Sequence, residues 1–323
     1  MATDTIARPA PIAESTTLPT AAAHRGGYRL GVLAVVAAAA LWGLGGVLAD
    51  GLFRRGVQPL DLVSVRTYLT ALGLGFIVAA RRRRRGRVHG PAARGAPFTV
   101  LGFGISIGVA NAALFVSIKL LPVAAAMVLQ SLAPVLVVGF ESVRDRVRPS
   151  VIVLGGLAVA LPGVALVAGS AGPNGSRLDP LGVLAGLATA LGVAAFALFG
   201  HSVTRTRGAI EANALAFAVS AAGWLIYELW HGLPGALLHA SVLPAVLGVS
   251  VLGTLLPFVL FAWGSGRTGA ACGALTICLE PAFGAVLAWI WLGQSLGAAQ
   301  ILGAVLVTGA VSAIQYSAYR RTR

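Results

Sequence analysis

An acid and a helix breaker stand side by side near the end of the chain: Glu280 and Pro281, in the stretch LTICLEPAFG at residues 275–284. They lie near the middle of an apolar run that extends from about Gly269 to Leu292. An ionisable side chain at membrane depth is costly and is usually kept for an ion or substrate pathway. Glu280 is therefore a candidate proton carrier or partner for a cationic solute; the alternative is a protonated, hydrogen-bonded structural residue. Pro281 removes a helix hydrogen bond, and the freed carbonyl must find a neighbouring helix or water because lipid offers no partner. Uncharged polar residues at similar depth, Asn111, Gln130, Ser131 and Thr276, are suited to fixing a ligand by hydrogen bonds and equally to joining helices. Trp42 lies well inside the first apolar run, where it reads as a cavity wall or as core packing.

The other intramembrane charges have plainer readings. Arg66 has Asp50 and Asp61 at similar depth, so a structural salt bridge, with Asp50 as the candidate partner, is the expected role. Lys119 can extend its ammonium to the headgroups. Glu228 sits among Trp224, Tyr227 and Trp230, which reads as an aromatic belt at the outer interface. Cys272 and Cys278 share one apolar run and lack a metal-ligand pattern, so they are expected to be buried thiols. Gly104/Gly108, Gly182/Gly186 and Gly269/Gly273 have the spacing that lets helices approach closely and carry no chemistry.

These residues need elements that hold them in a bilayer. The chain has 323 residues, 57% hydrophobic and 11% charged, with a mean hydropathy of +0.87. A soluble domain carries about 25% charged residues, so this chain has too little polar surface to cover a globule in water. A hydrocarbon core of about 30 Å takes about 20 apolar residues per helix. That ruler predicts ten spans, near 30–50, 60–80, 97–118, 121–140, 150–169, 179–200, 211–230, 243–263, 269–292 and 297–317. The eighth is interrupted by Gly253 and Pro257. Residues 1–29, with three prolines and little to bury, read as a disordered tail, and 318–323 as a short basic one.

Net charge is +14, yet the basic residues fall in short segments between apolar runs without interleaved aromatics, which argues against nucleic acid. Placing both termini in the cytoplasm puts nineteen Arg and Lys residues inside and four outside, as the positive-inside rule requires. The run Arg81–Arg85 reads as a topology anchor beside anionic lipid. There is no HExxH and no GxxxxGK[ST], so neither a metal, a cofactor nor ATP-driven pumping is expected. An intramembrane enzyme acting on a lipid or isoprenoid substrate is the competing class; it lacks the clustered Asp, Glu or His that such chemistry uses.

A repeat underlies the ten spans. LQSLAPVLVV at 129–138 aligns with ICLEPAFGAV at 277–286, setting Pro134 against Pro281 at an offset of 147 residues. LGGLAVALPGVAL from Leu154 aligns with LGAVLVTGAVSAI from Leu302 at 148, and Arg66 meets Asn213 at 147. A duplicated unit of five helices must insert the second copy upside down, a recurring plan of secondary transporters with substrate held near the midplane. Paired prolines at equivalent depth suggest two bent helices meeting at a central cavity. The expected fold is an all-α integral membrane protein of ten transmembrane helices in two inverted repeats, 30–169 and 179–317.

The motifs WGLGGVLADGL, VRTYLTALGLG and SIKLLPVAAAMVLQSLAPVL, followed by GSGRTGAACGALTICLEPAFGAVLAWIWLGQSLGAAQILGAVLVTGAV, resemble the two repeats of the drug/metabolite transporter superfamily, EamA type. Family members often carry glutamate where this chain has Gln294; the corresponding point in the first repeat is Glu141. The resemblance implies a non-enzymatic transporter of the cytoplasmic membrane that moves small organic solutes such as amino acids, other metabolites or toxic compounds, by alternating access and more often outward. The expected partners are that solute and the bilayer.

Overall fold

The computed structural model describes residues 21–85, 97–144, 146, 151–169, 179–268, 278–294 and 296–321. Helix follows helix, as apolar sequence without alternation dictates when every backbone group must be satisfied internally. The first five elements are α1 (Ala21–Phe53), α2 (Pro59–Arg85), α3 (Pro97–Leu120), α4 (Val123–Gln130) and α5 (Ala133–Arg144). Then come α6 (Val151–Gly169), α7 (Pro180–Arg207), α8 (Ala209–His231) and α9 (Leu243–Ser250). A π turn (Val251–Leu255) leads into α10 (Leu256–Thr268), followed by α11 (Glu280–Leu292) and α12 (Ala298–Arg321). Among the described residues seven helical stretches are long and apolar enough to cross a bilayer, counting Val123–Arg144 and Leu243–Thr268 as one each. Shorter apolar helices occupy Leu154–Leu166, Glu280–Leu292 and Ala298–Ile314. Residues 269–277, with Gly269, Cys272, Gly273 and Thr276, lie outside the described residues.

Large apolar side chains face outward. Phe98 is 78% exposed and Phe76 75%, a surface that water would not tolerate over a whole molecule and that acyl chains cover.

The helix boundaries carry physical corrections. α1 begins at Ala21, ahead of the expected start at residue 30, because the alanines at 21–23 are strong helix formers and extend the helix into the stretch read as tail. α12 likewise continues through the basic end to Arg321.

Pro134 and Pro281 do not bend continuous helices. Each is the second residue of a new one: Pro134 after a two-residue interruption at Ser131–Leu132, and Pro281 directly after the turn residues Cys278–Leu279. In a first turn proline sacrifices no helix hydrogen bond and its fixed φ suits the start. Amides of each first turn bond back to the residue before the new helix: Val135 and Leu136 N–H both donate to Leu132 O, at 2.9 and 3.2 Å, and Phe283 N–H to Leu279 O at 3.0 Å. In the eighth expected span, where Gly253 and Pro257 stand, the helix widens into the π turn and Pro257 opens α10.

Packing sets the site. α3 lies along α7 and α8, α6 along α12, α1 along α10 and α11, α2 against α8, and α4 against α7 and α11. Several crossings bring backbones into contact, two of them Cα against Cα. A Cβ at Gly45 of α1 would lie 2.6 Å from the Cα of Gly253, and one at Gly192 of α7 would lie 2.9 Å from the Cα of Ala110 in α3. Only glycine fits at such distances.

Candidate functional site

Where α1, α2, α3, α4, α7, α10 and α11 converge they leave a cavity of about 900 Å³. One end is exposed and polar, formed by Glu141 and Arg144 of α5 with His201 and Arg205 of α7. The other end is closed, reaching Gly46, Asn111 and Arg66, all buried. The arginine-bearing ends of α2, α5, α7 and α10 all lie toward the open end.

One wall is aromatic. Trp42 meets Phe258 edge to face at 5.4 Å between ring centroids and Phe261 at 5.6 Å, while Phe196 stacks on Phe103 at 4.4 Å. Pairs of this kind contribute about 0.5–1.5 kcal/mol beyond their area, so the wall is rigid. The opposite wall carries the hydrogen-bonding groups. Because the interruption at Ser131 ends α4, Gln130 projects from its last turn, and its Nε2 donates to Glu280 Oε1 at 3.1 Å. Glu280 opens α11 and is 7% exposed. α4 and α11 thus join by one polar contact, worth roughly 0.6–2 kcal/mol between membrane helices. Beside it the Met127 side chain lies against Gly284 and Gly46, a flexible thioether filling the gap between α4, α11 and α1.

Arg66 differs from its expected role. Its guanidinium does not reach Asp50; it is 4% exposed, donates from Nη2 to Asn111 Oδ1, and lies 4.1 Å above the Phe115 ring. Asp50 is occupied elsewhere. Its Oδ2 accepts from Arg54 Nε at 2.8 Å and from Gln294 Nε2 at 2.9 Å, while Gln294 Oε1 takes the free Val123 N–H that starts α4, at 3.0 Å. Glutamine both donates and accepts here; a glutamate would face the Asp50 carboxylate. Gln294→Glu should therefore lower the thermal unfolding temperature, and Gln294→Glu combined with Asp50→Asn should recover it.

Of the residues singled out from sequence, Trp42, Asn111, Gln130 and Glu280 share this cavity, and Arg66 joins them. Ser131 does not line it; its hydroxyl donates to Val128 O at 2.7 Å. Pro134, Pro281 and Asp50 position neighbours without lining it, and Thr276 lies outside the described residues. Asn213, offset by 147 residues from Arg66, also lines the cavity. Phe196, Phe258 and Phe261 carried no signal that set them apart from other apolar residues. Glu228 is not a belt residue. It is 4% exposed and accepts from Tyr68 Oη at 2.8 Å, tying α8 to α2. Lys119 donates to Gln58 Oε1 at 2.8 Å and stays exposed.

A family model described as the EamA-like transporter family matches residues 29–169 and 180–316. The threonine/homoserine exporter RhtA of Escherichia coli K12 is 32% identical over 282 residues, spanning 85% of this chain and 88% of the relative. The uncharacterized inner membrane transporter YicL of Salmonella typhimurium is 25% identical over 311 residues, spanning 92% and 99%. A solved crystal structure, 20% identical, superposes with a TM-score of 0.59 over 91% of this chain and 99% of the other, which is a likeness of fold.

Proposed function

The chain belongs to the EamA-like transporter family, and from that premise we propose that it is a secondary transporter exporting a small organic solute, with amino acids as the first class to test. It is a multi-pass membrane protein. The observation that carries the reading is the cavity itself: about 900 Å³ at membrane depth, with Arg66 from the first half and Glu280 from the second on one surface. A buried guanidinium and a buried carboxyl in a low-dielectric region cost several kcal/mol unless something compensates them, and a solute with a carboxylate and an amino group would do so. The name of RhtA, threonine/homoserine exporter, supports the same class.

Ten spans in two inverted repeats, with both termini cytoplasmic, organise this reading. In its support, the helix pairings interchange between the two halves: α1 on α10 answers α7 on α3, and α1 on α11 answers α7 on α5. The family match divides at the same place, into 29–169 and 180–316. Arginines crowd the open end of the cavity, so this conformation faces the cytoplasm and loads solute for export.

The test is counterflow in proteoliposomes preloaded with L-threonine or L-homoserine. The protein should accelerate exchange of the radiolabelled solute, and empty liposomes should not. Cysteines at Trp42 and Gln130, in a background lacking Cys272 and Cys278, should react with small polar thiol reagents and be protected by solute. A cysteine at Ser131 should react slowly, since its side chain is turned to Val128. Failure to move any amino acid, together with inert cysteines at 42 and 130, would remove the export reading.

A further inference from the structure

Arg66 sits at the closed end of the cavity with its charge uncompensated. Among the described residues no acidic side chain lies within ion-pair distance of it; its partners are the Asn111 carbonyl oxygen and the Phe115 ring face. Its Nε is buried without a hydrogen-bond partner, and so is Nδ2 of Asn111. Unpaired buried donors are costly and call for a reason. Here both belong to residues that line one cavity end. Phe115 is itself fixed, 1% exposed and edge to face with Phe53 at 5.6 Å, so the guanidinium plane is held before any ligand arrives. A planar, charged fork with a neighbouring amide N–H is the arrangement that takes a carboxylate through paired hydrogen bonds.

We propose that Arg66, with the Asn111 amide, is the carboxylate subsite of this cavity and selects solutes by that group. The inference rests on the transport reading above and adds to it which end of the solute enters first. The carboxylate goes to the closed end at Arg66, leaving the rest of the molecule against Trp42 and the aromatic wall.

Three solutes of nearly one size separate the possibilities: L-threonine, its methyl ester, and threoninol, in which the carboxylate is reduced to an alcohol. In proteoliposome counterflow of radiolabelled L-threonine, unlabelled threonine should compete, while the ester and the alcohol should compete at least tenfold less well, the size of a lost charge-assisted contact. Arg66→Gln should abolish that preference, and Arg66→Lys, which keeps the charge without the fork, should retain part of it. A second readout needs no substrate. Thermal unfolding of ligand-free Arg66→Gln should occur at or above the wild-type temperature, because an unpaired buried charge has been removed. A marked fall in that temperature would make Arg66 a structural prop and overturn the assignment. Equal competition by ester and alcohol in the wild type would overturn it too, while leaving transport intact. If the wild type moves none of the three, the transport reading fails first and the subsite with it.

Discussion

Replacing Glu280 by glutamine should leave a folded protein whose transport no longer responds to a pH gradient. The side chain opens α11, is 7% exposed, and accepts one hydrogen bond, from Gln130 Nε2 at 3.1 Å. Glutamine keeps the size and an acceptor oxygen, so the link between α4 and α11 survives, while the group can no longer titrate. The wild type should lose gradient-driven transport at high pH, where the carboxyl fails to reload its proton. In Glu280→Gln that dependence should vanish, while exchange in counterflow, which needs no gradient, continues. Proteoliposomes with imposed pH differences make both measurements. If Glu280 instead pairs with a cationic group of the solute, the variant should lose binding itself, by roughly tenfold or more. Wild-type rates with an unchanged pH profile would make the residue structural.

The second large effect is steric. Gly45→Val places a branched side chain where Cβ alone would stand 2.6 Å from the Cα of Gly253. Backbone on both sides cannot rotate away as a side chain does, so α1 and the π turn must separate. Overpacking usually costs about 1–3 kcal/mol, and a clash with no flexible partner belongs at the upper end or beyond. We expect Gly45→Val to yield little monodisperse protein, or protein that unfolds well below the wild type and does not transport. Gly75→Val is the control, since a Cβ at that position of α2 meets nothing within 4 Å. It should purify and transport normally. Normal stability and activity in Gly45→Val would show that the crossing tolerates separation.

What the sequence made legible is what chemistry marks locally. Pro134 and Pro281 announce interruptions wherever they stand, and the offset of 147 residues between them also brought Asn213 to notice, which lines the cavity. Glu280 was conspicuous because a carboxylate in an apolar run has few reasons to be there. The partners of the charged residues were not legible. Whether Arg66 meets Asp50, Asp61 or Asn111 depends on how α2 and α3 are rotated about their axes, and apolar helices with no polar stripe give no signal of rotation. Glu228 was misread for the same reason: its aromatic neighbours mark a helix end, but only the facing Tyr68 of α2 makes it buried. The proline readings failed in a smaller way. A proline's position within its helix, interior or first turn, decides between a bend and a fresh start, and the sequence does not mark where the helix resumes.

The glycine crossings have a mechanical consequence. Gly45 on Gly253 and Gly192 on Ala110 each weld a helix of one half to a helix of the other, so each welded pair turns as a single lever. A gate that parted the two halves along the sequence would have to tear both welds. A gate that hinges between the levers breaks neither, and its axis runs past the polar join of Gln130 and Glu280. The moving parts are then mixed pairs, drawn from both halves of the chain, and each half alone supplies only one side of every lever.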